Sequence, residues 1–365
     1  MDCMIEIRAA CSPGEMRIAV IDTDCVDDDG TTSGWLDAAI WRPGAPDGVG
    51  DVHVVRVQTI TPALGGMFVL LEGGVTGFMP CRKPIEQGRL AVAQVVRAAQ
   101  NNKGLRLRLM DQAVPDDVNA PHRVSYGATP LEELAQRYPE APIILDSQSM
   151  GVRLPVTLRK RCHYVQAAFD AEQEAVFDTL GSSDASIGGL TALFSFTPAL
   201  VAIDLDSAGH PAGAQPDFAG NVAAFPALAR EIRLRNVSGT LLIDAAGVRT
   251  RKRPALAGFL KTALATDIIQ PEVLGATPSG LLEVVRKRTR PPMHEVMHSA
   301  HGKALAILRQ ILREGRKGTQ LVASISVVRA LERDPDALEE CILQRAASLE
   351  LVVDPERSVS QWSLV

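Results

Sequence analysis

Two apolar segments that each end in an aspartate constrain the fold of this 365-residue chain most strongly. Residues 200–203 read as a buried strand followed by Asp204, and residues 241–243 read as a second strand followed by Asp244. Between them, residues 227–234 have the 3/4 spacing of apolar positions that predicts an amphipathic helix. This alternation predicts an α/β module that begins near residue 190.

The two aspartates are candidate metal ligands. A carboxylate at the carboxyl end of a buried strand is held rigidly at the mouth of the sheet. Two of them can share one Mg²⁺, with Mn²⁺ as the alternative ion, and such a cation neutralises the charge that develops on a phosphodiester. Asp206 is a candidate third ligand. The simpler alternative is that an aspartate after a strand caps a helix or starts a turn, and spacing alone favours it.

Basic residues are concentrated around this pair, although the net charge of the chain is −5. The overall charge excludes a uniformly basic surface, so contact with a polyanion has to use local patches. Charged runs are more often solvated surfaces, and that alternative stays open. The candidate phosphate-binding residues here are Arg249, Arg251, Lys252, Arg286 and Lys287.

Residues 50–109 have a different pattern, with about five short strands separated by glycine-rich turns. This pattern predicts a small closed barrel such as an OB-fold. Phe68 and Phe78 flank a Gly-Gly turn in a chain with only 4% aromatic residues. Exposed aromatic residues on such a barrel stack on bases, whereas the simpler alternative makes both of them core residues.

A short histidine motif raises the question of a zinc site. Residues 294–298 match H-E-x-x-H, with His301 close behind, but the preceding Pro291-Pro292 predicts a loop or a helix start. A protease is therefore not favoured, and a structural metal site at His294, His298 and His301 is the alternative.

The six cysteines include no C-x-x-C pair, which argues against a cysteine zinc site and favours a reducing, cytoplasmic environment. No run is apolar enough for a membrane span, and the acidic N-terminus is unlike a signal peptide.

Taken together, these residues resemble the ribonuclease E/G family. Residues 280–288, which we expect to form a basic helix, resemble the family's closing helix. The resemblance runs along most of the chain, in the order and spacing of the family. The segments that carry it are residues 15–20, 50–80, 88–104, 199–204, Asn221, 229–236, 239–244 and 280–288.

The resemblance implies a multidomain α/β plus β-barrel fold. A ribonuclease H-like fold (residues 1–40 and 113–188) would be interrupted by an OB-fold barrel (41–112). A deoxyribonuclease I-like module (189–292) and a small C-terminal α/β domain (293–365) would follow. It also implies Mg²⁺-dependent cleavage of single-stranded RNA to 5′-phosphate and 3′-hydroxyl ends. Asp204 and Asp244 would hold the metal, and Phe68, Phe78, Arg97 and Lys103 would bind RNA.

Four departures from the family pattern qualify this reading. Asp206 replaces an asparagine, and residues 245–248 lack the acidic residue that follows the second aspartate. The region of the pocket that senses a 5′-monophosphate is reduced, and the C-P-x-C zinc link is absent, which leaves the oligomeric state open. The alternative function is a catalytically degenerate RNA-binding protein of the same family.

Overall fold

The computed structural model describes residues 5–25, 32–81, 83–100, 103–207 and 218–365. Within them the strands are, in chain order, β1 (Ile5–Ser12), β2 (Glu15–Asp22), β3 (Trp35–Trp41), β4 (Val52–Thr61), β5 (Gly66–Leu70), β6 (Thr76–Pro80), β7 (Leu90–Arg97), β8 (Leu105–Leu109), β9 (His122–Ser125), β10 (Ile143–Leu145), β11 (Cys162–Tyr164), β12 (Asp184–Ile187), β13 (Leu190–Phe196), β14 (Leu200–Asp206), β15 (Gly239–Asp244), β16 (Glu272–Ala276), β17 (Leu282–Arg286), β18 (Gln320–Ala323), β19 (Glu350–Val353) and β20 (Trp362–Leu364).

The helices of the same residues are α1 (Pro130–Arg137), α2 (Gln148–Arg153), α3 (Val156–Arg159), α4 (Ala171–Thr179), α5 (Phe218–Leu234), α6 (Leu256–Leu264), α7 (Met293–His298), α8 (Ala300–Arg313), α9 (Ile325–Glu332) and α10 (Pro335–Arg345). None of the helices in the described ranges is long and apolar enough to cross a membrane. The chain divides into two compact units. The first comprises Met1–Pro46, Pro130–Arg286 and Pro292–Val365, and the second comprises Asp47–Thr129 and Lys287–Pro291.

The first unit contains a five-stranded mixed sheet in the order β3-β2-β1-β10-β11. Strands β1, β2 and β3 form an antiparallel meander, β10 lies parallel to β1, and β11 lies parallel to β10. Helix α1 packs its apolar side on this sheet through Leu131 and Leu134, which join Ile7, Ile18 and Ile143 in one core. The amphipathic pattern of α1 thus closes one face of the sheet.

A six-stranded sheet in the same unit has the order β12-β13-β14-β15-β17-β16. Strands β14 and β15 are parallel neighbours, and α5 lies between them in the chain, which confirms the predicted α/β alternation. Helices α5 and α6 cover one face, where Ile203, Phe225, Leu241, Ile243 and Leu260 form the core. The opposite face carries the alternate residues of each strand.

The helix predicted over residues 280–288 is wrong, because β17 occupies this segment and pairs antiparallel with β15. Leu282, Val284 and Arg286 are buried, while Val285 is exposed. This period of two is that of a strand rather than of a helix.

The C-terminal part of the first unit is a small α/β domain. Its three-stranded sheet has the order β19-β18-β20, with β18 and β19 parallel. Helices α8, α9 and α10 pack on it, and Leu308, Ile311, Leu321 and Val327 lie in their common core. The apolar residues at 3/4 spacing in α8 therefore form the inner face of this domain.

The second unit is a closed barrel of five strands. The order runs β4-β5-β6-β8-β7 and returns to β4, with β9 added beside β4. Strands β6 and β8 are parallel and the other barrel pairs are antiparallel. Val55, Met67, Val69 and Leu107 fill the interior. The expectation of a small closed barrel is confirmed.

Candidate functional site

Asp204 and Asp244 lie side by side in the six-stranded sheet. They are direct partners in the parallel pair β14–β15, whose strands are about 4.8 Å apart. Their neighbours Ile203 and Ile243 are buried in the core, so both carboxylates project from the opposite face of the sheet. The structure therefore brings together the two residues that the sequence singled out.

Negative charge accumulates at this point. Burial, together with the charges of Asp244 and Asp206, raises the pKa of Asp204. Asp206 is exposed two residues further along β14, on the same face, and its carboxylate accepts a hydrogen bond from the Ser207 amide at 2.7 Å. Within the described ranges, no group of three or more His, Cys, Asp or Glu side chains is arranged to hold a metal ion. The Asp204–Asp244 pair is therefore the core of the candidate site, and Asp206 as a third ligand stays a prediction.

Arg253 belongs to this site through a contact with Asp244 that the sequence analysis did not predict. Its guanidinium donates to the Asp244 carboxylate through Nη1. It also donates to the carbonyls of Val248 (2.7 Å), Ala245 (3.1 Å) and Gly280 (3.3 Å). Arg253 thus ties the carboxylate of Asp244 to the loop that follows it. The only signal in the sequence was its place in a basic run, which did not distinguish it from its neighbours.

Asn221 fixes the same loop from the other side. This fully buried residue of α5 donates to the Ala246 carbonyl at 2.8 Å and accepts from the Ala246 amide at 3.1 Å. Gly280 packs against the loop with φ +94°, and a Cβ at this position would lie 2.8 Å from Thr250 Cγ2. The segment without the expected acidic residue is therefore held firmly by polar contacts.

The predicted phosphate-binding residues differ in their surroundings. Arg249, Arg251 and Lys252 are exposed at the 3₁₀ turn Thr250–Ala255, which follows Asp244. Arg286, by contrast, is 2% exposed and its Nε donates to Asp267 at 2.7 Å. Its Nη1 donates to Asn236 Oδ1 at 2.9 Å, so this guanidinium is bound within the protein. Lys287 is exposed and belongs to the second unit.

Phe68 and Phe78 lie on the outside of the barrel. They are cross-strand partners whose ring centroids are 5.4 Å apart in an edge-to-face arrangement. Phe68 is 39% exposed, and Met67, Val69 and Met79 fill the interior instead, so the alternative that both rings are core residues is wrong. Gly66 leaves room for the Phe78 ring, since a Cβ there would lie 2.6 Å from Phe78 Cζ.

Arg97 and Lys103 lie in the same unit as the aromatic pair. Arg97 ends β7, and its Nη2 donates to the Gly104 carbonyl at 3.1 Å. Burial and the charges of Arg106 and Arg288 lower its pKa. Lys103 is exposed and its backbone pairs with Gln100. Both cationic side chains therefore belong to the barrel, as the sequence indicated.

The predicted three-histidine metal site does not form in the described part of the chain. His294 and His298 do lie on one helix, α7, where the sequence predicted a loop or a helix start. The His294 ring stacks on Phe196 with centroids 3.4 Å apart, and His301 Nε2 lies 2.8 Å from Asp334 Oδ2. Burial, His298 and Arg235 lower the pKa of His294 to about 4. These contacts give His294 and His301 structural roles.

Comparison with known proteins finds relatives of the segment that contains the two aspartates. Residues 185–289 match the sequence model of the Ribonuclease E/G family. Ribonuclease G of Salmonella typhimurium (strain SL1344) is 27% identical over 191 residues, which are 46% of this chain and 39% of that protein. Ribonuclease G of Haemophilus influenzae is 31% identical over 134 residues, or 32% of this chain and 27% of the relative. Ribonuclease E of Escherichia coli (strain K12) is 32% identical over 106 residues, or 28% and 10% of the two proteins. The chain thus spans less than half the length of each of these relatives.

Proposed function

The chain belongs to the ribonuclease E/G family, and from this we propose that it is an endoribonuclease acting in RNA processing or decay. It would hydrolyse single-stranded RNA and leave 5′-phosphate and 3′-hydroxyl ends. The observation that carries the proposal is the adjacent pair Asp204–Asp244, which lies inside the segment that matches the family.

The sheet topologies support the finer fold assignments that accompany this function. The sheet β3-β2-β1-β10-β11, an antiparallel meander extended by parallel strands, supports a ribonuclease H-like fold. The closed five-stranded barrel supports an OB-fold, a fold that binds oligonucleotides. The six-stranded sheet covered by α5 and α6 supports a deoxyribonuclease I-like catalytic module.

The residues at the aspartate pair fit Mg²⁺. This ion takes oxygen ligands, is held in proteins by one or two carboxylates and keeps several waters. Asp204 and Asp244 provide two carboxylates on one face. Burial and the negative charges of Asp244 and Asp206 raise the pKa of Asp204, and a divalent cation would offset that charge. When bound, Mg²⁺ or Mn²⁺ would activate water and neutralise charge on the phosphodiester. A zinc site is not proposed, since the pair includes no cysteine or histidine.

The side chains around the pair have separate tasks in this proposal. Arg253 and Asn221 hold Asp244 and the loop after it in place. The exposed residues Arg249, Arg251 and Lys252 would bind phosphates of the RNA. Arg286 is omitted from the set of RNA contacts because its guanidinium is buried against Asp267.

The barrel would hold the RNA strand. Bases would stack on the exposed rings of Phe68 and Phe78, an interaction that contributes about 1–3 kcal/mol per base. Arg97, Lys103 and Lys287 would contact phosphates. Such a surface binds single strands because their bases are free to leave the helical stack.

Cleavage of a labelled single-stranded RNA by Asp204→Asn and Asp244→Asn variants tests the proposal. Cutting should require Mg²⁺ and fall by about 10³-fold or more in both variants, because several kcal/mol of charge stabilisation is lost. Binding of the RNA in EDTA should persist. The exposed Glu339→Gln on α10 is the matched control and should cut like the wild type.

Two outcomes of this experiment would change the assignment. An Asp204→Asn protein that cuts at the wild-type rate would contradict the catalytic role of the pair. Wild-type protein that binds RNA but never cuts it, with or without Mg²⁺, would favour the catalytically degenerate alternative. RNAs with 5′-hydroxyl and 5′-monophosphate ends should be cut equally, since the region of the 5′ pocket is reduced in the sequence.

A further inference from the structure

A row of four side chains crosses the outer surface of the barrel. Phe68 on β5 is the cross-strand partner of Phe78 on β6, and Phe78 is the partner of Arg106 on β8. Arg106 in turn is the partner of Arg97 on β7. Directly opposite residues on neighbouring strands project to the same face, and three strand spacings of about 4.8 Å cover about 14 Å. Two aromatic rings are therefore continued by two guanidinium groups in one line.

The two arginines of this row have no counter-charge in the described ranges of the chain. Neither Arg97 nor Arg106 forms an ion pair with a carboxylate there. Arg97 Nε is buried and has no hydrogen-bond partner among the described residues, although its Nη2 reaches the Gly104 carbonyl. A buried donor without a partner is costly, and like charges opposite each other destabilise a sheet.

A third arginine approaches from a distant part of the chain. The Ala98 amide, next to Arg97, donates to the Thr289 carbonyl at 2.8 Å. This bond places the segment Lys287–Pro291 beside the end of β7, and Arg288 acts electrostatically on Arg97. Positive charge from two strands and from the segment Lys287–Pro291 thus converges on one end of the aromatic row.

Arg108, the other arginine of β8, does have a partner within the barrel. It lies two residues after Arg106 on the same face, but its Nη2 donates to Gln94 Oε1 at 2.7 Å. Gln94 is in turn held by the Gly50 carbonyl at 3.2 Å. Arg108 is therefore bound within the barrel, whereas Arg106 faces another arginine.

We propose that Arg97, Arg106 and Arg288 form a phosphate-binding subsite for the backbone of a single RNA strand whose bases stack on Phe68 and Phe78. The guanidinium fork matches phosphate geometry and forms paired charge-assisted hydrogen bonds with it. A phosphate there would supply both the missing counter-charge and a partner for Arg97 Nε. The identity of the ligand rests on the proposed function, whereas the convergence of the three arginines does not.

Salt-dependent binding of the full chain to a short fluorescent single-stranded RNA in EDTA tests this subsite without cleavage. Each phosphate contact contributes about 0.7 to the slope of log K against log[salt]. We expect the slope to fall by about 0.7 in Arg106→Gln and in Arg288→Gln, and affinity to fall several-fold. Arg108→Gln, on the same face of the same strand, should keep the wild-type slope. Arg97→Lys keeps the charge but loses the fork, and should weaken binding with little change in slope.

The outcomes separate this inference from the proposed function. If wild-type protein binds RNA and Arg106→Gln and Arg288→Gln keep its slope, the subsite is overturned while RNA binding stands. An equal loss of slope in Arg108→Gln would indicate a diffuse basic surface and would also overturn it. Competition by inorganic phosphate with no change in the RNA slope would assign the arginines to a free anion, against the inference. RNA binding with the expected slopes but no Mg²⁺-dependent cutting would uphold the subsite and reject only the nuclease activity.

Discussion

A cluster of three arginines in the first unit and a pair of arginines in the barrel have opposite surroundings. In the first unit, Arg17, Arg42 and Arg309 converge on Glu15, with Arg42 Nη2 2.7 Å from its carboxylate. Arg17 also pairs with two acidic residues of α4, Glu174 at 2.7 Å and Asp178 at 2.8 Å. In the barrel, Arg97 and Arg106 face each other without a carboxylate among the described residues. The first cluster is balanced in charge, whereas the Arg97–Arg106 pair is not.

This difference separates a structural use of arginine from a use that needs a ligand. The buried carboxylate of Glu15 connects β2, the end of β3 and α8. Burial alone would raise the pKa of Glu15, but Arg309, Arg42 and Arg17 outweigh it and lower the pKa to about 2. A cluster whose counter-charge is supplied by the fold holds elements together. A cluster without one is stable only because the rest of the barrel maintains it, and it is suited to bind an anion.

Removal of Glu15 should have the largest effect on stability. Glu15→Gln leaves three guanidinium groups, two of them buried, without their common partner, and we expect the free energy of unfolding to fall by about 3–5 kcal/mol. Urea denaturation followed by circular dichroism measures this loss. The exposed pair Glu86–Arg89 provides the control, since Glu86→Gln should change stability by less than about 1 kcal/mol. Similar losses in the two variants would contradict the distinction.

Acid should weaken the balanced cluster in a defined range. Because the pKa of Glu15 is lowered to about 2 in the folded protein, its contribution is present above the unfolded value near 4.3 and is lost as the pH falls toward 2. The loss is on the order of 3 kcal/mol. Unfolding free energies measured from pH 5 to pH 2 should show this decline in the wild type. The Glu15→Gln protein should show a shallower decline, and equal slopes would refute the role of Glu15.

Asp204 lies among side chains of its own charge, as the barrel arginines do, but here the charge is negative. Its raised pKa means that the charged form is disfavoured in the folded state, so stability falls as the pH rises through its titration. Asp204→Asn should therefore be as stable as the wild type at pH 7 in EDTA, or more stable by up to about 1 kcal/mol. Mg²⁺ should raise the melting temperature of the wild type more than that of the variant. A clear destabilisation in EDTA would indicate a structural role instead.

The smallest effect is expected in the barrel. Arg106→Gln removes one of two like charges that lie opposite each other, so the unfolding free energy at low salt should rise by about 0.5 kcal/mol. Added salt should reduce this gain by screening the repulsion. Arg108→Gln loses its hydrogen bond to Gln94 and should gain nothing. Thermal unfolding at two salt concentrations distinguishes the two variants.

Part of the fold and of the site could be predicted from local sequence patterns. Asp204 and Asp244 each follow an apolar strand, and parallel strands that flank a helix place their carboxyl ends at one edge. The glycine-rich alternation of residues 50–109 likewise predicts the closed barrel, because short amphipathic strands bury their apolar side chains inside it.

Other features were mispredicted because they depend on tertiary contacts that the local pattern does not contain. Residues 280–288 looked like a basic helix, but Arg286 is buried on the inner face of β17, where Asp267 neutralises it. The histidine motif does lie on a helix, yet His294 stacks on Phe196, almost a hundred residues earlier. Arg253 differs from the exposed basic residues beside it by its contact with Asp244, which the sequence does not indicate.

The sequence by itself determined that β14 and β15 are strands, where the two aspartates lie in them, and which aromatic residues flank the barrel turn. Those properties follow from periodicity and turn chemistry over a few residues. Only the tertiary structure decided what each arginine does: Arg17 and Arg286 are neutralised, Arg253 holds Asp244, and Arg97 meets Arg106. The reason is that electrostatic energy depends on distance in space and on burial, and neither is encoded in the spacing of charges along the chain.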